Sequence, residues 1–146
     1  ADGRVGAIGV SNFEPEHLAR IASDTGIVPA VNQVELHPAL QNRAVIAANT
    51  ARGIVTEAWS PLAQGAVLSE APVVAIADRH GKTPAQVVLR WHLQQGRVVI
   101  PKSVTPARIA ENLDVFDFVL SPEELVSIDL LERDGRTGPH PAQFNG

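Results

Sequence analysis

The 146-residue sequence predicts an α/β fold built on a parallel sheet. Three observations carry this expectation. Short apolar runs alternate four times with segments of helical periodicity, and a glycine follows each of the first three such segments. Charged residues make up only 19% of the chain against 45% hydrophobic, a balance that suits strands buried on both faces.

In chain order, the apolar runs are residues 5–10 (VGAIGV), 30–36 (AVNQVEL), 54–59 (IVTEAW) and 97–100 (RVVI). Each ends at turn-forming residues: Ser11-Asn12, His37-Pro38, Ser60-Pro61 and Pro101-Lys102. Residues 15–24, 40–51, 84–95 and 106–113 carry apolar side chains at three- and four-residue spacings and read as helices, with Gly26, Gly53 and Gly96 stopping the first three. Between Trp59 and Thr83 lies an insertion with a Gly-containing loop and a short helix near 72–80. A further helix spans 122–132, and the tail from Asp134 to Gly146 reads as a Gly- and Pro-rich loop. The whole of 1–146 is read as one domain. Four strand-helix units form either a small open sheet or half of a (β/α)8 barrel, and periodicity does not choose between them.

Composition bounds the function. A net charge of −4 and a pI near 5.7 offer no field for a polyanion, so nucleic-acid binding is not expected. The chain has no cysteine, and no His and carboxylate pairing has supported ligand spacing, so neither a redox motif nor a metal site is expected. Nothing resembles a signal peptide or spanning segment, which leads to the expectation of a soluble, cytoplasmic protein with no membrane partner. The chain contains neither Met nor Tyr and enters a strand almost at once, which suggests that an N-terminal part precedes it.

Three helices open from one template. TPAQ (83–86) and SPEE (121–124) place Gln or Glu three residues after the N-cap, the capping-box pattern. The helix at 106–113 starts with Thr105 and Pro106 but puts Arg108 at that position, a cation on the positive end of the helix dipole, which costs about 0.3–1 kcal/mol. With Lys102 six residues earlier, this is either a solvated basic pair or a local anion site.

In both candidate architectures ligands gather at the C-terminal ends of strands. The residues there are Ser11, Asn12, Gln33, His37, Trp59, Ser60, Lys102 and Ser103. Their amides, hydroxyls, aromatic ring and cation suit a flat polar heterocycle on one side and a phosphate on the other. Plainer readings stand beside this one. Ser11-Asn12 reads equally as a helix cap, His37 as structural, His80 and His92 as surface or packing residues, and Trp91 as core. Glu123 and Glu124 suit the first turn of a helix. The glycines of GRVGAIG precede or lie within a strand, so they form no dinucleotide fingerprint.

Four segments carry a family resemblance in order and spacing: IGVSNF (8–13), VNQVELHP (31–38), AWSPLAQG (58–65) and VVIPKSVTPARIAENL (98–113). Together they resemble the aldo-keto reductases, from near Gly3 to the tail. AWSPLAQG and the ending GRTGPHPAQFN resemble the bacterial branch that includes the 2,5-diketo-gluconate reductases. The resemblance implies the C-terminal half of a TIM (β/α)8 barrel, strands five to eight with their helices. It implies NADPH as cofactor, with Ser11, Asn12 and Gln33 on the nicotinamide carboxamide and Trp59 stacked on the ring. Ser60, Leu62 and Gln64 would lie in the loop that crosses the pyrophosphate, with Gly65 letting the backbone come close. Lys102, Ser103, Val104 and Arg108 would hold the adenosine 2′-phosphate, and Glu111 and Asn112 would meet the adenine. Arg108 then has a reason to stand where it does.

The family's proton donor is a Tyr assisted by Asp, Lys and His from the first four strands. This sequence has no Tyr, and its lysines are Lys82 and Lys102. The expectation is therefore the cofactor half of an NADPH-dependent reductase of aldehydes and ketones, taking a small-molecule carbonyl substrate in the complete protein and having no activity by itself. The competing expectation is a non-catalytic NADP(H)-binding module or an inactive truncated fragment. A half-barrel leaves two raw sheet edges, through which the fragment is expected to self-associate. In the tail, Phe144 is a candidate pocket wall.

Overall fold

The computed structural model describes residues 3–143; Phe144 lies outside the described residues. Strands β1 (Gly9–Ser11), β2 (Val31–Glu35), β3 (Val55–Trp59) and β4 (Val98–Val99) form one sheet in chain order, every pair parallel. Helices α1 (Pro15–Thr25), α2 (Arg43–Thr50), α3 (Ala71–His80), α4 (Pro84–Gln94), α5 (Pro106–Leu113) and α6 (Pro122–Asp129) fill the connections, with short 3-10 turns at Ala63–Gly65 and Pro141–Gln143. The expected alternation is present in full.

The pleat sorts the strand residues into two sets. Asn32, Val34, Thr56 and Ala58 point to the helices and are buried. Their neighbours point the other way, and on that side Val55, Val98 and Ile100 remain 46%, 43% and 44% exposed. The composition leads to strands covered on both faces; among the described residues the sheet is covered by helices on one.

Between that face and the helices lies a core that includes Val34, Leu36, Ala58, Val67, Val73, Ile76, Val87, Val88, Trp91, Leu120 and Ile128. Each such aliphatic side chain contributes about 1.5–3 kcal/mol when fully buried. The buried amides under the sheet are paired, as burial requires. Asn32 donates to Asn49 Oδ1 (3.2 Å) and to the Phe13 carbonyl (2.9 Å), and Asn49 donates to Thr56 Oγ1 (2.9 Å). The Trp91 indole N–H donates to Asp129 Oδ1 at 2.8 Å, which ties the core helix α4 to α6.

Several local readings change. The second helix begins at Arg43, not at residue 40, because His37 and Leu40 exchange backbone hydrogen bonds (3.0 and 2.9 Å) and Asn42 turns the chain with φ 46°. Leu40 keeps the helical spacing of its apolar neighbours but is buried in that turn. The last helix ends at Asp129, not residue 132. Ser11 and Asn12 do not cap α1: its N-cap is Glu14, whose N–H donates to His17 Nδ1 at 3.1 Å. His80 joins two helices, its Nε2 lying 2.9 Å from Glu124 of α6.

His92 is fully buried, its Nε2 3.2 Å from the Pro61 carbonyl and its Nδ1 without a partner. Burial, and secondarily the Arg97 cation, push its pKa down to about 3. Burial likewise lowers Arg97 to about 10, and its guanidinium lies 4.6 Å from the centroid of the Trp91 ring. A histidine held neutral in the fold costs nothing above its unfolded pKa; below about 6.5 the unfolded chain gains a proton that the folded chain refuses. Stability to urea should therefore fall as pH drops from about 6.5 towards 4, by up to about 1.4 kcal/mol per pH unit for His92 alone. His37, lowered by burial, acts in the same direction. His92→Gln, whose amide can still donate to Pro61, should flatten the slope by about one proton; an unchanged slope would count against a neutral buried His92.

Candidate functional site

The C-terminal end of β3 runs into an unusual turn. Ser60, Ala63 and Gln64 have φ of 48°, 49° and 54°, and Gly65 has φ 97°. Left-handed backbone costs a residue with a Cβ on the order of 1 kcal/mol, and such residues cluster where function requires them. The turn is closed by the bonds Ala63 N–H to Ser60 O and Gly65 N–H to Leu62 O, both 2.8 Å. At Gly65 the φ selects glycine; no atom lies within 4 Å of where a Cβ would stand.

This turn forms one wall of a groove of about 900 Å³, with the N-terminus of α4 and residues 101–105 and α5 as the others. Ten of the fourteen residues singled out by resemblance line it: Ser60, Leu62, Gln64, Gly65, Lys102, Ser103, Val104, Arg108, Glu111 and Asn112. The groove also takes in Thr83, whose hydroxyl donates to Glu111 Oε1 at 2.6 Å. Gln86 extends the tie, its amide donating to the carbonyls of Glu111 (3.2 Å) and Asp114 (2.7 Å). Thus α5 is held to α4 through its acidic and C-terminal end, which leaves its N-terminus facing the groove.

The two helix types differ there. In α4 and α6 the capping boxes are closed, with Thr83 Oγ1 accepting from Gln86 N–H and Ser121 Oγ from Glu124 N–H, both at 3.3 Å. In α5, Thr105 gives no side-chain cap and the first turn holds no acid. Among the described residues, neither Lys102 nor Arg108 has a hydrogen-bond or ion-pair partner. Lys82, by contrast, is held by Asp114 (2.9 Å) and Asp117 (2.8 Å).

A second cavity of about 730 Å³ includes Ser11, Asn12, Phe13, Trp59, Pro139 and Pro141 in its lining. The Trp59 indole N–H donates to Asn12 Oδ1 at 2.9 Å, and Ser11 Oγ donates to the Gln33 carbonyl at 3.1 Å. Gln33 lines neither cavity. Its side-chain amide donates to the Glu57 carboxylate on the next strand, in the row Ser11, Gln33, Glu57, Val98.

One cluster joins residues that the sequence motifs do not connect. Glu35 is 1% exposed at the end of β2, its Oε1 accepting from the Thr137 N–H (2.6 Å) and hydroxyl (2.5 Å) and lying 3.2 Å from His37 Nε2. Burial raises its pKa, but the Thr137 and His37 hydrogen bonds outweigh this and the net shift is downward. An acidic residue closing the strand VNQVE is the sequence feature that marks Glu35. Its partner 102 positions away is not readable from any local pattern.

A parallel α/β sheet with an open, cation-bearing groove at its C-terminal rim places the chain in the α/β class, whose ligands gather at that rim. The sequence matches the model of the Aldo/keto reductase family over residues 1–133, and the chain belongs to that family. An aldo-keto reductase of Mycolicibacterium smegmatis is 57% identical over 143 residues, which cover 98% of this chain and 52% of that protein. The methylglyoxal reductase DkgA of Escherichia coli is 52% identical over 147 residues, covering 99% and 54%. The chain thus spans about half the length of the curated relatives it matches. Among solved structures, a mutant of Gox0644 in complex with NADPH superposes with a TM-score of 0.95 at 54% identity, covering 99% of this chain and 54% of that one. An aldo-keto reductase of Bombyx mori in complex with NADP gives 0.82 at 33%, covering 89% and 46%.

Asn12 itself has φ 58°, and its side chain holds Trp59. Asn12→Gly should lose only the hydrogen bond, about 1 kcal/mol, while Asn12→Ala should lose a further ~1 kcal/mol to left-handed strain. Urea midpoints of the two variants test this ordering, and Ala equal to Gly would contradict it.

Proposed function

We propose that this chain is the cofactor-binding half of an NADPH-dependent reductase of aldehydes and ketones, the C-terminal half of a (β/α)8 barrel. One observation carries the reading: Lys102 and Arg108, both without partners, flank the uncapped N-terminus of α5 in an open groove. Two cations and the free N–H groups of a helix's first turn fit a dianionic phosphate. The NADPH and NADP complexes of the structural relatives support the same ligand.

In this reading Lys102, Ser103, Val104 and Arg108 receive the adenosine 2′-phosphate, and Glu111 and Asn112 face the adenine. Glu111 is fixed for this by Thr83. Ser60, Leu62, Gln64 and Gly65 form the turn over the pyrophosphate. Ser11, Asn12 and Trp59 are gathered at the far end of the same rim for the nicotinamide, with Gln33 behind Ser11. When bound, the nucleotide supplies a hydride for carbonyl reduction. This chain's residues bind and orient it. Proton donation falls outside the chain, which has no Tyr and whose two lysines are Lys82, already held by two aspartates, and Lys102 of the phosphate site.

The exposed face bearing Val55, Val98 and Ile100, together with the outer edges of β1 and β4, is where the rest of a barrel would pack. The chain alone should therefore associate as its concentration rises, and should show no aldehyde turnover with NADPH above background. A concentration-independent monomer in sedimentation would count against the half-barrel reading.

The direct test is a fluorescence titration with NADPH and NADH. The quenching is followed on both tryptophans, Trp59 beside the cavity and the buried Trp91. Arg108→Ala should weaken NADPH binding at least tenfold, as the loss of a charge-assisted hydrogen bond of about 1.5–3 kcal/mol requires, and leave NADH nearly unchanged. Equal losses for both nucleotides would remove the 2′-phosphate from Arg108.

A further inference from the structure

We infer that Glu35 is a positioning residue that clamps the tail across the Trp59 ring and so sets one wall of the cavity beside it. It rests on the preceding reading only in treating that cavity as a ligand site.

The tail is fastened at two points. Arg133 and Gly135 donate their N–H groups to the Ala39 carbonyl at 3.2 and 2.8 Å, fixing where the tail starts. Thr137 then gives both its N–H and its hydroxyl to one oxygen of the buried Glu35 carboxylate. Arg136 Nη1 lies 3.9 Å from the other oxygen, and Asn42 Oδ1 accepts from Arg136 Nη2 at 3.4 Å. One residue beyond the clamp, Gly138 passes the edge of the ring: a Cβ built there would lie 3.5 Å from Trp59 Cη2. Pro139 and Pro141 follow and line the cavity with Trp59 and Asn12.

The chemistry matches a clamp better than a packing accident. A carboxylate at 1% exposure is costly unless paired, and here its donors come from the tail and from His37 on the strand exit. Among the described residues, the tail around it has only the short turn Pro141–Gln143 as regular structure. Removing the clamp would therefore free the segment that carries both prolines, while the Ala39 anchor would keep the preceding residues in place. Glu35 thereby governs the width of the cavity without lining it, and Thr137 is its agent.

The test is limited trypsin digestion of the 146-residue chain, following release of residues 137–146 by mass spectrometry after cleavage at Arg136. No nucleotide is present, so failure of NADPH binding leaves the readout untouched. Thr137→Val, which loses the hydroxyl donor, should release the tail at least tenfold faster than the unaltered chain. Thr137→Ser, which keeps both donors, should restore the slow rate. Release from Thr137→Val at the unaltered rate, or from Thr137→Ser as fast as from Thr137→Val, would overturn the clamp. A second measurement needs no variant: hydrogen exchange at the Thr137 N–H should be slowed at least tenfold relative to a free peptide, and exchange at the free-peptide rate would overturn the proposal equally.

Discussion

Four strands that run the same way in chain order oblige each connection to travel back along the sheet before the next strand begins. That constraint arranges everything else. The returns are helical and collect on the face presented by Asn32, Val34, Thr56 and Ala58, where the core forms. The strand exits all open at the opposite end of the returns, on one rim. Residues as far apart in sequence as Asn12, Trp59, Ser60 and Lys102 therefore share an edge of the molecule.

Among the three helices that open on Thr-Pro or Ser-Pro, the capping pattern is followed twice and set aside once. The N-termini of α4 and α6 satisfy their own donors through closed boxes, each cap being worth about 0.5–2 kcal/mol. The N-terminus of α5 forgoes that and adds a cation against its dipole. The deficit is local and small beside the tie from Thr83 and Gln86 to the other end of the same helix. The helix is thus held by its far end, and its near end stays open to an incoming anion. The strained turn at Ser60 to Gly65 faces the same groove, so two departures from local preference meet at one cavity.

Much of this was legible because it is local. Apolar spacing located four of the six helices found among the described residues, apolar runs marked the four strands, glycines marked helix ends, and the contrast between TPAQ, SPEE and TPAR was visible as a pattern of three residues. The groove residues could be grouped because a parallel sheet brings strand exits together whatever the connections are. What escaped is set by contacts at long separation or by backbone torsion. Residues 40–42 read as the start of a helix by their spacing, yet the chain turns at Asn42. Gln33 points to the cavity rim by residue type, yet Glu57 on the neighbouring strand claims its amide. Burial on both sheet faces followed from a low charge content; only tertiary structure reveals that one face is left uncovered.

The central strand β2 explains why the register tolerates little freedom. Its residues serve three neighbours in turn: Asn32 bonds to α2 through Asn49, Gln33 crosses to Glu57 on β3, and Glu35 reaches the tail. A slip by one position would reverse the faces. Gln33 and Glu35 would enter the helix-covered core, where neither Asn49 nor Thr56 could neutralise a carboxylate, and Asn32 and Val34 would face the open side. An uncompensated buried carboxylate costs several kcal/mol, as large as much of a small domain's net stability. The polar residues of β2 thus fix its register at least as firmly as its valines do. The same pairing that aligns the sheet also determines where the Trp59 cavity receives its wall.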